Sequence, residues 1–245
     1  MVKANELVKI LGSSLEQRLS LLDNAHQTAL RLHNGFYEGA QGITADLYGK
    51  TLVLFSYIQE SLASYEIVQE ARDFYLQSLP WVECVIAKHH ASEDGALRRG
   101  EFTFGSRPDH RVLEAGVEYE VDLRMNQDAG FYLDTRTLRT WLHHNSKGLD
   151  VLNTFAYTGS LGVAALAGGA RQVVQIDRSA KFLDFSRQSA IANRLDLGKM
   201  KLTAVDFFVG IGQLKRKKRL FDIVILDPPF FSVTDKGKVD QTEES

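Results

Sequence analysis

Apolar residues fall at Leu7, Ile10, Leu11, Leu15, Leu19 and Leu22, close to the three-and-four spacing of an amphipathic stripe, and the pattern predicts a helix over residues 1–33. From Gly35 the period changes. "GITADLYGKTLVLFSY" reads as two β-rich runs around Tyr48-Gly49-Lys50, a hairpin with glycine in its turn. A helix at 62–79 is stopped by Pro80, and strand-like runs follow at 81–88, 101–104, 111–114 and 117–124, around the polar stretch "HHASEDGALRRG". Neighbouring strands with few helices predict a small α+β domain over 34–125. "GFYLDTRTLRTWLHHNSKG" then reads as a linker entering a helix that stops at Gly148, and from Asp150 strands and helices alternate strictly as far as "FDIVIL". Such alternation means crossovers between parallel strands, so residues 126–245 predict an α/β domain with helices on both faces of a parallel sheet. The tail "SVTDKGKVDQTEES" is polar and reads as loose.

Composition narrows the classes. With 245 residues and 44% apolar content the chain can build two cores, which predicts a soluble globular protein. No apolar run approaches the ~20 residues of a membrane span. Lys3, Glu6 and Lys9 break up the N-terminus where a signal peptide would be apolar, so a cytoplasmic protein is expected. A net charge of -2 leaves a nucleic-acid partner open, because only a local basic patch is needed. Candidates are Arg98, Arg99, Arg107 and Arg111, and the run Lys215 to Arg219, which reads equally well as a solvated helix end. The single cysteine, Cys84, excludes an internal disulfide and sits in the alternating run "WVECVIAK" as packing. His89 and His90 lack partners at metal-ligand spacing, and no metal is expected.

The chemistry concentrates at the carboxyl ends of the parallel strands, where open α/β sheets bind ligands. "DVLNTF" delivers Ala156 to Gly159 to that rim, with Tyr157 and Thr158 where a pyrophosphate-binding turn would require glycines. A smaller, less anionic ligand fits better. Asp177 ends the second strand, where a carboxylate can accept from two ribose hydroxyls. The third strand ends at Asp206 with Phe207 and Phe208, an acceptor beside aromatic faces that suits an adenine. The fourth ends at Asp227-Pro228-Pro229-Phe230, where two prolines remove amide donors and leave carbonyls aimed into the site, while Phe230 can stack on a planar base.

"DVLNTFAYTG", "QIDRS", "VDFF" and "ILDPPFF", with the preceding "GFYLDTR", closely resemble the class I S-adenosylmethionine-dependent methyltransferases that modify large-subunit ribosomal RNA. The 5-methylcytosine branch is nearest, and the resemblance runs from about Asn34 to Phe231. It implies a Rossmann-like methyltransferase sheet, S-adenosylmethionine as cofactor and RNA as partner. It also implies methionine and backbone contacts at Phe155, Ala156, Tyr157 and Gly159, ribose at Asp177, adenine at Asp206 and Phe207, and Tyr132, Asp134 and Arg136 over the cofactor. Target base and methionine end fall to Asp227, Pro228, Pro229 and Phe230. Three features differ from the branch: helix 1–33 stands where an RNA-binding domain is usual, Phe230 and Phe231 follow the prolines in place of lysine and phenylalanine, and the nucleophilic cysteine would lie beyond residue 245. The chain is therefore expected to lack the C-terminal strands of a seven-stranded sheet and to be poorly soluble or self-associated. The acceptor stays open between carbon five of cytosine and a base nitrogen. A non-catalytic RNA-binding module and a nicotinamide oxidoreductase are the competing classes.

Overall fold

Leu7, Leu11 and Leu15 recur every fourth residue and are buried, which is why helix α1 (Ala4–Glu16) forms and lies on a core. In the computed structural model, residues 4–228, 231–234 and 237–240 are described. The helix ends well short of residue 33. Asp23 offers the following backbone an alternative, its carboxylate accepting from the amides of Ala25 (2.9 Å) and Thr28 (2.8 Å), and Leu19 and Leu21 are left half-exposed in a single 3-10 turn. Residues 29–34 instead form strand β1 (Ala29–Asn34), an edge of the first sheet.

That sheet continues after the short helix α2 (Gly35–Glu38) with β2 (Ile43–Tyr48) and β3 (Thr51–Ser56), joined by the expected glycine-containing turn, which has two residues, with Gly49 at φ 61°. Helix α3 (Leu62–Ser78) opens on reciprocal bonds between Ser61 and Ser64 and crosses over to β4 (Cys84–His89), which pairs in parallel with β3. After α4 (Gly95–Arg99), β5 (Glu101–Phe104) completes the order β1-β2-β3-β4-β5, and β6 (Arg111–Glu114) and β7 (Val117–Glu120) form a separate hairpin. Leu32, Leu47, Leu52, Leu54 and Val85 face α1 and α3 across one core, so the N-terminal helix is part of this unit. The unit extends through Thr135, past Met125. The fully buried Lys88 explains why: its ammonium donates to the carbonyls of Asn126 (2.7 Å) and Asp128 (2.5 Å), while the Tyr48 hydroxyl donates to that of Phe131 (3.2 Å).

The second unit, residues 136–245, begins with α5 (Arg136–Asn145). It then alternates β8 (Asp150–Thr154), α6 (Ser160–Ala167), β9 (Gln172–Asp177), α7 (Ala180–Ala192), β10 (Met200–Ala204), α8 (Phe207–Arg216) and β11 (Ile223–Leu226). The four strands are parallel in the order β10-β9-β8-β11. Chain order reverses beside β8, which makes its carboxyl end the crevice of the sheet. Val151, Val173 and Ile225 pack with α5, α6 and α7 on one face, and Leu152, Val174 and Ile176 pack with α8 on the other. On β11 the alternation splits differently: Ile225 is buried while Val224 and Leu226 are 59% and 62% exposed. Part of the tail read as loose is paired instead, β12 (Phe231–Thr234) antiparallel with β13 (Gly237–Asp240); residues 235–236 and 241–245 lie outside the described residues. Among the described residues no helix is long and apolar enough to cross a membrane.

Candidate active site

The turn after β8 is held in an unusual backbone conformation. Phe155 and Tyr157 both have φ of 51° and Gly159 has 75°, so left-handed residues alternate with Ala156 and Thr158. For each of the two non-glycine residues this costs ~1–2 kcal/mol, and such strain persists only where the surroundings over-determine it. The ties are visible. The Tyr157 amide donates to Asp177 Oδ2 at 2.8 Å, the Ala156 amide to the Ile176 carbonyl at 2.9 Å, and the Gly159 amide back to the Ala156 carbonyl at 2.8 Å. Asp177 Oδ1 also accepts from the Ser179 amide at 2.8 Å. The carboxylate is half-buried, and each of its oxygens, spent on one backbone amide, keeps acceptor capacity toward the rim.

Aromatic rings line the same rim. Phe155 stacks on Phe207 with centroids 4.8 Å apart and planes 20° from parallel, and Tyr157 meets the edge of Phe182 at 4.7 Å. Asp206 caps α8 through Oδ1, which accepts from the Phe208 amide at 2.9 Å, and Phe208 is exposed. Helix α6 starts at Gly159, which supplies no capping side chain, so the positive end of its dipole points to the rim.

Phe155, Ala156, Tyr157, Gly159, Asp177, Asp206 and Phe207 are thus brought together on one rim. Asp227 and Pro228 follow β11, whose Leu226 pairs with Thr154 of β8, and so reach the same edge. Pro229 and Phe230 lie outside the described residues. Tyr132 and Asp134 belong to the first unit, where the Tyr132 hydroxyl donates to Asp128 (3.0 Å); Arg136 opens α5 of the second. The basic run is on the other end of the sheet: Arg219 reaches Gln172 and Asp150, the first residues of β9 and β8. Arg111 is taken up by Glu118 and Glu120. Cys84 is fully buried on β4, and burial pushes its thiol up to about 11, which makes it a packing residue. Phe182 and the buried polar residues Asn153, Gln175 and Ser186 escaped the pattern reading. A glutamine in the middle of "QVVQID" was the available signal.

A family model of S-adenosylmethionine-dependent methyltransferases matches residues 88–243. Ribosomal RNA large subunit methyltransferase I of Aeromonas hydrophila is 33% identical over 234 residues, covering 92% of this chain and 57% of that protein. Its namesake from Escherichia coli O139:H28 is 34% identical over 210 residues, 82% of this chain and 51% of that protein. The chain spans about half the length of the curated relatives it matches. The crystal structure of SMU.776 complexed with SAH superposes with a TM-score of 0.85 at 26% identity, covering 98% of this chain and 61% of that one. A strained, glycine-ended turn between β8 and α6, an acid closing β9 and an aromatic pair above them stand in the Rossmann-like half that the family match includes, and the chain belongs to the S-adenosylmethionine-dependent methyltransferase family.

Proposed function

We propose that this chain carries the cofactor-binding part of an enzyme that methylates a nucleobase in RNA, with large-subunit ribosomal RNA as the substrate and the cytoplasm as its place of work. The observation that carries the reading is the turn at 155–159, strained at two non-glycine residues and tied to Asp177 beside the Phe155–Phe207 stack. Its chemistry fits the cofactor. The remaining acceptor capacity of Asp177 suits ribose hydroxyls. The amino end of α6 suits one carboxylate, and the edge of Asp206 with Phe207 suits an adenine. S-adenosylmethionine supplies, when bound, an electrophilic methyl group on a sulfonium.

The residues of the chain would then act by position. A methyl group moves by in-line displacement, so holding the acceptor opposite the carbon accounts for much of the rate. Asp227, Pro228, Pro229 and Phe230 would hold the extruded base. Attack by carbon five of cytosine needs a thiolate to add to the ring first. Cys84, buried and with its thiol held protonated, is unsuited to that, and the acceptor stays open between carbon five of cytosine and a base nitrogen. Calorimetry with S-adenosylhomocysteine tests the cofactor reading: the chain should bind it, and Phe155→Ala should weaken binding. No heat of binding at millimolar ligand would end the proposal.

A further inference from the structure

Gln175 lies in the middle of β9 with no solvent exposure, among Val173, Val174 and Ile176. Its amide is the centre of a buried polar chain that crosses the sheet. Asn153 Nδ2, on β8 directly opposite, donates to Gln175 Oε1 at 3.0 Å; Gln175 Nε2 donates to Ser186 Oγ of α7 at 2.5 Å; and Ser186 Oγ reaches Met200 Sδ of β10 at 3.4 Å. Asn153 and Ser186 are as buried as Gln175. Burying an amide is favourable only with partners, and these partners leave it one orientation.

The first turn of α6 rests on that amide. A Cβ at Gly162 would fall 2.3 Å from Gln175 Cδ and 2.4 Å from Oε1, and one at Gly159 would fall 2.5 Å from Ser186 Cβ and 2.8 Å from Gln175 Oε1. Bare backbone therefore sits directly on the polar chain, and the amide decides how deep the helix start can settle. Gln175 and Asp177 are two apart on one strand and share a face. Asp177 ties the turn from its outer side through Tyr157, and Gln175 supports it from beneath. We propose that Gln175, held by Asn153 and Ser186, is a positioning residue that sets the height of the 155–162 turn for the cofactor. This rests on the reading of that turn as the cofactor site.

The test is calorimetry of S-adenosylhomocysteine on the 245-residue chain, with circular dichroism and melting curves on every variant. Gln175→Met keeps the length of the side chain and removes the hydrogen bonds of its amide; affinity should fall about tenfold, one decade of binding constant, in a protein of unchanged circular dichroism. Gly162→Ala should weaken binding by about tenfold or more in the parent, and by less than about twofold in a Gln175→Ala background, where the new methyl group has room, a non-additivity expected of residues in contact. A merely structural role would lower the melting temperature of Gln175→Met and leave its affinity at the parent value, which would overturn the proposal. So would Gly162→Ala costing the same in both backgrounds. A parent chain without affinity would instead overturn the cofactor reading of the turn, and this inference with it.

Discussion

Removing the Asp177 carboxylate should do more than delete a ligand contact, because this group holds the turn before any ligand arrives. Asp177→Ala strips the acceptor from the Tyr157 and Ser179 amides. Bonds to a charged acceptor contribute about 1.5–3 kcal/mol each, and here less, since the site is half-buried and water can replace the carboxylate. Freed of its tie, Tyr157 can leave its left-handed conformation and regain ~1–2 kcal/mol, which a ligand must then supply to re-form the site. Together with a lost ribose contact of about 1.5–3 kcal/mol, affinity for S-adenosylhomocysteine should drop roughly a hundredfold to a few thousandfold. Asp177→Asn keeps one acceptor oxygen and should fall between parent and alanine. Titration calorimetry reads the affinities, and thermal melts should show a loss of a few degrees for the alanine variant. An Asp177→Ala affinity within about threefold of the parent would refute both roles, since that is less than half of one bond's contribution.

Phe207→Ala removes the ring stacked on Phe155 and should weaken S-adenosylhomocysteine by about 0.5–1.5 kcal/mol or more, visible by calorimetry, with little change in melting because the ring is half-exposed. Cys84 should resist iodoacetamide at pH 8 in the native chain and react fully in denaturant, as mass spectrometry would show, because burial holds the folded thiol at about 11. Burial also lowers the Lys88 ammonium to about 8, while the unfolded chain keeps its proton up to the ordinary lysine range. The unfolded state then binds more protons above pH 8, so stability should rise with pH from about 8 to 9, before ionisation of the Cys84 thiol in the unfolded chain pulls the other way. Urea denaturation at the two pH values should show this rise in the parent and not in Lys88→Met, which should also be less stable overall for the loss of the two Lys88 hydrogen bonds to the carbonyls of Asn126 and Asp128.

Much of the second unit was legible from one dimension. Period-two apolar runs alternating with helical ones dictate parallel crossovers, and parallel crossovers place Phe155, Asp177, Asp206 and Asp227 at one rim whatever the order of the strands. The hairpin at Gly49 and the stop at Pro80 were equally local, since turn chemistry and a missing amide act within a few residues. Strand β1 was missed because the helical stripe from Leu7 to Leu22 was carried on to residue 33, whereas the period-two pair Leu30 and Leu32 belongs to a strand held by pairing with β2. The order β10-β9-β8-β11, the left-handed conformations of Phe155 and Tyr157 and the amide of Gln175 beneath Gly162 were decided only in three dimensions. Sequence alone determined which side chains arrive at the rim, because a strand's end is set by its own pattern. The tertiary structure decided what those side chains hold there, because strain at Tyr157 and a buried amide at Gln175 are tolerable only when partners on other elements, Asp177, Asn153 and Ser186, offset their cost.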